Sequence, residues 1–137
     1  MRVVIADDQY KMRRALRVLL DQDEEVQIVG EAADAPHLLA RVLTMAADLV
    51  LLDENLPGLP MVELLSVLRR AFSKIRVIVF STRSEAGLVA LTAGADAFVS
   101  KTDPAEQLPA AIEECRRLLA NGRGAPEDAA VLSLGIS

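Results

Sequence analysis

Short runs of apolar residues divide the chain at regular intervals. In the run that ends at Asp53, apolar residues fill positions 49–52 without a polar interruption. A continuous apolar run of this length is typical of a strand that is buried on both faces, as in a parallel sheet. The pattern predicts strands at residues 2–6, 26–30, 48–53, 75–80 and 97–100.

The segments between these strands carry apolar residues at helical spacing. In the first of them, Met12, Leu16 and Leu19 would share one face of a helix. Asp34 is a candidate N-cap, with Pro36 in the first turn of the helix that follows it. The predicted helices lie at residues 10–20, 35–45, 60–72, 84–93 and 105–120.

The fourth predicted helix, residues 84–93, is the weakest of these helices. It is short and contains Gly87, and a glycine inside a helix costs about 1 kcal/mol relative to alanine. A helix this short needs tertiary contacts to be stable. We therefore expect Leu88, Val89 and Leu91 to hold it against the sheet.

Alternation of strands and helices predicts an α/β fold with a parallel sheet and five helices on both faces. Because crossovers between parallel strands are right-handed, few topologies remain. The flavodoxin-like strand order 2-1-3-4-5 places strands 1 and 3 side by side at the switch point. We expect one domain over residues 1–120, followed by a linker or C-terminal tail at residues 121–137.

Composition narrows the class of protein. Of the 137 residues, 52% are hydrophobic and 26% are charged, which is typical of a globular domain and not of a disordered chain. The net charge of −5 argues against a nucleic-acid surface in this chain, because phosphate binding needs a basic patch. No apolar run has the length of a membrane span, and no secretory signal is predicted. Cys115 has no cysteine partner within the chain, so we expect a buried, inert thiol and a cytoplasmic location.

Acidic residues follow two of the predicted strands. Asp7 and Asp8 come directly after the first strand, and Asp53 ends the third, before the turn Pro57-Gly58. Adjacent parallel strands end at one edge, so these carboxylates should converge and repel one another. A divalent cation relieves such repulsion, and ligation by oxygen alone suits Mg²⁺.

Two later strand ends complete a recognisable order. The fourth strand leads into Ser81, and the fifth strand leads into Lys101. Gly94-Ala95-Asp96 comes directly before the fifth strand. This order of acids, serine and lysine at successive strand ends resembles the receiver domain of the response regulators of two-component systems. The resemblance covers residues 1–120.

The resemblance implies a phosphoryl-accepting signalling switch that depends on Mg²⁺. Asp53 is then the phosphoacceptor and nucleophile, and it takes a phosphoryl group from a partner histidine kinase or a small phosphodonor. Asp8 is the main direct metal ligand, Asp7 acts directly or through water, and the backbone carbonyl of Asn55 supplies a further ligand. The metal set is therefore Asp7, Asp8, Asp53 and Asn55.

Other residues receive roles from the same resemblance. Lys101 pairs with Asp53 at rest and with the phosphoryl group afterwards, and the Ser81 hydroxyl donates to a phosphoryl oxygen. Movement of Ser81 and rotation of Phe98 on the fifth strand form the switch. Such a protein catalyses only its own phosphorylation and dephosphorylation, so it is not a turnover enzyme.

The implied partners are a sensor histidine kinase or a phosphotransfer protein, and the resemblance allows a homodimer. The sequence departs from the family pattern at Leu59-Pro60, where an acid and a glycine are usual, and at Thr82, where a smaller residue is usual. A threonine directly after the lysine, as in Lys101-Thr102, is more typical of regulators that carry a C-terminal helix-turn-helix domain. Either the protein is a stand-alone receiver or this chain is part of a longer transcription regulator.

Alternative functions stay open at this point. A degenerate receiver would bind partners without phosphorylation, and Pro60 and Thr82 favour that reading. A phosphatase of the haloacid dehalogenase type would need an acid two residues after the nucleophile, where this chain has Asn55. A flavodoxin-like binding module would need a phosphate-binding loop after the first strand, where Asp7 and Asp8 carry the wrong charge.

Overall fold

The computed structural model describes residues 1–121, which form a parallel five-stranded sheet between two layers of helices. The strands lie in the order β2-β1-β3-β4-β5, so the predicted flavodoxin-like topology is confirmed. The strands are β1 (Arg2–Ala6), β2 (Gln27–Ala32), β3 (Leu49–Asp53), β4 (Arg76–Ser81) and β5 (Ala97–Ser100). The helices are α1 (Tyr10–Leu20), α2 (Ala35–Met45), α3 (Met61–Ala71), α4 (Ala86–Thr92) and α5 (Pro104–Ala120).

Successive residues of the central strand β3 contribute to opposite sides of the sheet. Val50 and Leu52 belong to the apolar cluster that includes residues of α2, α3 and α4. Leu49 and Leu51 belong to the cluster that includes residues of α1 and α5. Every residue of β3 is buried, which is why its sequence has no polar alternation.

The second strand extends beyond its predicted end. β2 runs to Ala32, and its added residue Glu31 pairs with Arg13 at 2.8 Å and with Arg17 at 2.6 Å. The sequence pattern stopped at Gly30 because the acid that follows does not look like a strand residue. Two arginines of α1 partly neutralise that acid and allow it to remain in the strand.

The prediction about α4 is wrong in its packing. Leu88 is 76% exposed, and Val89 and Leu91 are about half exposed. The residues that α4 buries are small ones: Ala86, Gly87 and Ala90. A Cβ atom on Gly87 would lie 3.0 Å from Cδ2 of Phe98, so the helix approaches the sheet too closely for larger side chains.

The N-cap of α2 and the cysteine match the sequence expectations. Asp34 caps α2 by accepting a hydrogen bond from the His37 backbone N–H at 2.9 Å. Asp103 occupies the N-cap position of α5, but its side chain makes no capping hydrogen bond. Cys115 is buried, and burial raises the pKa of its thiol to about 12, as expected for an inert residue.

Two sequence expectations concern the end of the chain and membranes. The predicted linker or tail at residues 121–137 lies, apart from Asn121, outside the described residues. Among residues 1–121, no helix combines the length and apolar character that crossing a bilayer requires.

Candidate functional site

The neighbouring strands β1 and β3 bring their acidic ends together. Ala6 lies in register with Leu52, so Asp7 and Asp53 leave the sheet side by side. Both are nearly inaccessible, with Asp7 2% and Asp53 5% exposed, whereas Asp8 is exposed. The loop after β1 helps to fix Asp7, because its Oδ1 accepts from the Gln9 N–H at 2.8 Å.

The carboxylates of Asp7, Asp8 and Asp53 form a compact oxygen cluster. One oxygen from each lies within 4.8 Å of the others. This donor set consists of oxygen alone and is open to solvent on the side of Asp8, which matches what Mg²⁺ prefers. Asn55 is exposed two residues beyond Asp53, and its N–H donates to Oδ1 of Asp53 at 3.3 Å.

Lys101 bridges the two buried acids. Its Nζ atom lies 2.9 Å from Oδ1 of Asp53 and 3.0 Å from Oδ2 of Asp7. The lysine follows β5, and its backbone N–H donates to the Ser81 carbonyl at 2.9 Å, which extends the sheet to this point. In this pairing two carboxylates share one positive charge.

Burial and charge act together on these ionisable groups. Burial raises the pKa of Asp53, the charge of Asp7 adds to this, and Lys101 opposes both without cancelling them. Burial alone would lower the pKa of Lys101, but its hydrogen bonds to Asp53 and Asp7 together with the charges of both acids outweigh burial, so its pKa is raised. The lysine therefore stays charged, while burial and the neighbouring Asp7 still disfavour ionisation of Asp53.

Ser81 ends β4 beside Asp53, but its hydroxyl is engaged elsewhere. The hydroxyl donates to Oε1 of Glu54 and accepts from the Arg83 backbone N–H at 2.9 Å. Arg83 also forms an ion pair with Oε2 of Glu54 through its guanidinium. The expected role of Ser81 did not include this contact with Glu54.

Sequence reasoning missed Glu54 and Arg83 as site residues. Glu54 follows Asp53 at the end of β3, and Arg83 lies two residues after the end of β4. The two strands are neighbours, with Asp53 in register with Phe80. Once the strand order was assigned, the sequence offered a signal: an acid and an arginine lie just beyond the ends of two adjacent strands.

The proposed switch residue Phe98 lies on β5, opposite Val79 of β4. It is partly buried and packs against the apolar cluster on the α4 side of the sheet. Its ring also borders Gly87 of α4. Thr82, the departure from the family pattern, is exposed and follows Ser81.

Comparison with known proteins gives consistent relatives. Protein-glutamate methylesterase/protein-glutamine glutaminase from Nocardioides sp. is 31% identical over 122 residues, which are 86% of this chain and 33% of that protein. The nitrate/nitrite response regulator protein NarL from Escherichia coli is 30% identical over 114 residues, 82% of this chain and 53% of that protein. The chain thus spans about a third to a half of the curated relatives it matches.

Solved structures agree on the fold. The isolated REC domain of RcsB from Salmonella enterica serovar Typhimurium, in the presence of phosphomimetic BeF₃⁻, superposes with a TM-score of 0.75 at 28% identity. That match covers 86% of this chain and 97% of the other. The family model of the response regulator receiver domain matches residues 3–113. This chain therefore belongs to the response regulator receiver domains of two-component signalling systems.

Proposed function

We propose that this chain is a phosphoryl-accepting switch in which Asp53 is the phosphoacceptor. The observation that carries the proposal is the placement of Asp53, which is buried at the acidic edge with Lys101 Nζ at 2.9 Å. An oxygen of Asp53 forms a bond to phosphorus while the bond from phosphorus to the donor breaks, and the donor leaves with the electron pair. The product is an acyl phosphate.

The surrounding side chains fit the charge that this transfer develops. Lys101 supplies a fixed positive charge to the phosphoryl oxygens, where transition-state charge accumulates. Asp7, Asp8 and Asp53, with the carbonyl of Asn55, would hold Mg²⁺. When bound, that ion would neutralise further negative charge at the site.

Intact mass measurement tests the proposal. With acetyl phosphate and Mg²⁺, the full chain should gain the mass of one phosphoryl group, and Asp53→Asn should gain none, because the amide is not a nucleophile. Asp48→Asn, the same change at the opposite end of β3, is the matched control and should label like the wild type. Labelling of Asp53→Asn at the wild-type rate would move the acceptor elsewhere, and an unlabelled wild type would favour a degenerate receiver.

The metal site has a separate test. Asp8→Ala should lower the Mg²⁺ affinity about tenfold or more, because an anionic oxygen ligand is lost from a cluster whose remaining acids already share Lys101. The sequence has no tryptophan, so isothermal titration calorimetry or amide chemical shifts should follow the titration. Asp21→Ala removes the same charge at the far end of α1 and should bind Mg²⁺ like the wild type. Equal affinities in all three proteins would place the metal away from Asp8.

The proposal also specifies partners and setting. A sensor histidine kinase or phosphotransfer protein would supply the phosphoryl group, and residues 1–120 would act as the receiver in the cytoplasm. The change would travel through Ser81 and Phe98 to an output such as a homodimer or an attached transcription-regulating domain. The chain itself would catalyse only its own phosphorylation and dephosphorylation.

A further inference from the structure

The residue after the proposed phosphoacceptor makes an unusual set of contacts. The Glu54 side chain is only 8% exposed and extends from the end of β3 to the end of β4. There its carboxylate accepts the Ser81 hydroxyl and pairs with the Arg83 guanidinium. The Arg83 backbone N–H returns to the Ser81 oxygen at 2.9 Å, which closes a ring of three residues.

This ring is unlike an ordinary surface ion pair. Arg83 is 55% exposed, and a pair between two exposed groups would contribute little. Glu54, however, is nearly buried, and a buried carboxylate needs partners. Ser81 and Arg83 supply them, so the position of the acid and the orientation of the hydroxyl depend on each other.

The hydroxyl of Ser81 carries one proton and can donate one full hydrogen bond. That bond now goes to Glu54. In the proposed function the same proton is needed by a phosphoryl oxygen on Asp53. The two acceptors are anions attached to consecutive residues, so they also repel each other. The hydroxyl can therefore serve Glu54 or the phosphoryl group, and not both.

We propose that Glu54, Ser81 and Arg83 form a latch that holds Ser81 away from the acceptor until an anion on Asp53 displaces it. In this latch Glu54 is a positioning residue for Ser81, and Arg83 anchors Glu54. The inference rests on the proposed function, because it assumes that the incoming anion is bound to Asp53.

The latch has a direct connection to α4. The carbonyl of Arg83 accepts the Ala86 N–H at 3.1 Å, in the turn from which α4 begins. The next residue of the helix, Gly87, lies against the ring of Phe98. Opening the latch therefore moves the turn that supports the helix beside the proposed switch residue.

Binding of BeF₃⁻ with Mg²⁺ to the full chain tests the latch, because this phosphoryl mimic needs no turnover. Glu54→Gln keeps an acceptor for Ser81 but loses the charge that binds Arg83 and repels the anion. Its apparent Kd for BeF₃⁻ should fall about fivefold or more, within the range of ordinary coupling between sites. Glu54→Asp keeps the charge but is one methylene shorter, so it should also lower the Kd, by less. The backbone amide of Arg83 provides an NMR signal for both titrations.

Glu85→Gln is the matched control, because Glu85 is an exposed acid 3.5 Å from the same arginine and has no contact with Ser81 among the described residues. Its Kd should stay within about twofold of the wild type. In a Ser81→Ala background the effect of Glu54→Gln should shrink to the part that charge repulsion alone contributes, because the latch then has no hydroxyl to hold.

The outcomes separate the two proposals. A wild type that neither binds BeF₃⁻ nor takes a label from acetyl phosphate overturns the proposed function and the latch with it. A wild type that does both, while Glu54→Gln and Glu54→Asp bind BeF₃⁻ no more tightly, overturns the latch alone. An effect of Glu54→Gln that persists undiminished in Ser81→Ala also overturns it, since charge repulsion alone would then account for the change.

Discussion

Replacing Lys101 with methionine is expected to lower the free energy of unfolding of the metal-free protein by about 3 kcal/mol. The ammonium group lies within 3.0 Å of both Asp7 and Asp53, which are 2% and 5% exposed. Methionine has a similar length but no charge, so the two buried carboxylates would face each other without a counter-ion. Urea unfolding followed by far-UV circular dichroism in the presence of a chelator measures the loss.

The loss of stability in Lys101→Met should depend on pH in a defined direction. The pKa of Asp53 is already raised in the folded protein, mainly by burial, and loss of Lys101 raises it further. The folded state then binds this proton more tightly than the unfolded state. Stability should therefore fall as pH rises from about 4, the ordinary carboxyl value, through the raised pKa. The difference from the wild type should be small in acid and largest at neutral pH.

Added Mg²⁺ should recover much of the loss if the acidic cluster is the proposed metal site, because a cation then replaces the missing charge. Lys74→Met is the matched control, since Lys74 is exposed in the loop before β4, and its stability should stay within about 0.5 kcal/mol of the wild type. A Lys101→Met protein as stable as the wild type at neutral pH, without metal, would contradict the electrostatic account.

The sheet and its acidic edge could be predicted because two strong signals agree. The unbroken apolar run before Asp53 occurs where a strand is buried on both faces, and every residue of β3 is buried. Parallel strands place their carboxyl ends at one edge, so Asp7, Asp53 and Lys101 meet although they are far apart in sequence. Local pattern and topology lead to the same edge.

The packing of α4 could not be predicted from apolar pattern alone. Leu88 and Leu91 are three residues apart, and so are the buried residues Gly87 and Ala90. Either pair could therefore form the buried face of a helix. The larger residues looked like the buried face. Close approach to the ring of Phe98 selects the small residues instead, and that distance is a property of the assembled sheet.

The contacts of Ser81 illustrate a second limit. The donation of the Ser81 hydroxyl to Glu54 was not predicted from the sequence. Which acceptor a hydroxyl uses depends on side-chain positions within a few ångströms. Glu54 reaches Ser81 because β3 and β4 are neighbours and because Arg83 holds the acid from the far side.

A large effect on stability is expected far from the proposed site, at the amino-terminal ends of β4 and β5. Asp96 precedes β5, and its carboxylate accepts from Arg69 at 2.6 Å and from Arg76 at 3.0 Å. It also accepts the Val77 backbone N–H at 2.9 Å, which ties the beginning of β4 to β5. Arg76 is 5% exposed, so this is a largely buried pairing of two guanidinium groups with one carboxylate.

Asp96→Ala should lower the free energy of unfolding by about 3–5 kcal/mol, because it removes the largely buried carboxylate that the guanidinium groups of Arg69 and Arg76 share. Asp96→Asn keeps an acceptor oxygen for Val77 and should lose less. Asp103→Ala is the matched control, since that aspartate is exposed and makes no capping hydrogen bond, and it should cost little. Urea unfolding at neutral pH measures all three.

Because the acidic edge lies at the other ends of these strands, the folded fraction of Asp96→Ala should still take a label at Asp53. A loss below about 1 kcal/mol would show that the arginines are adequately held by their backbone carbonyls, such as that of Gly94 at 2.7 Å from Arg69.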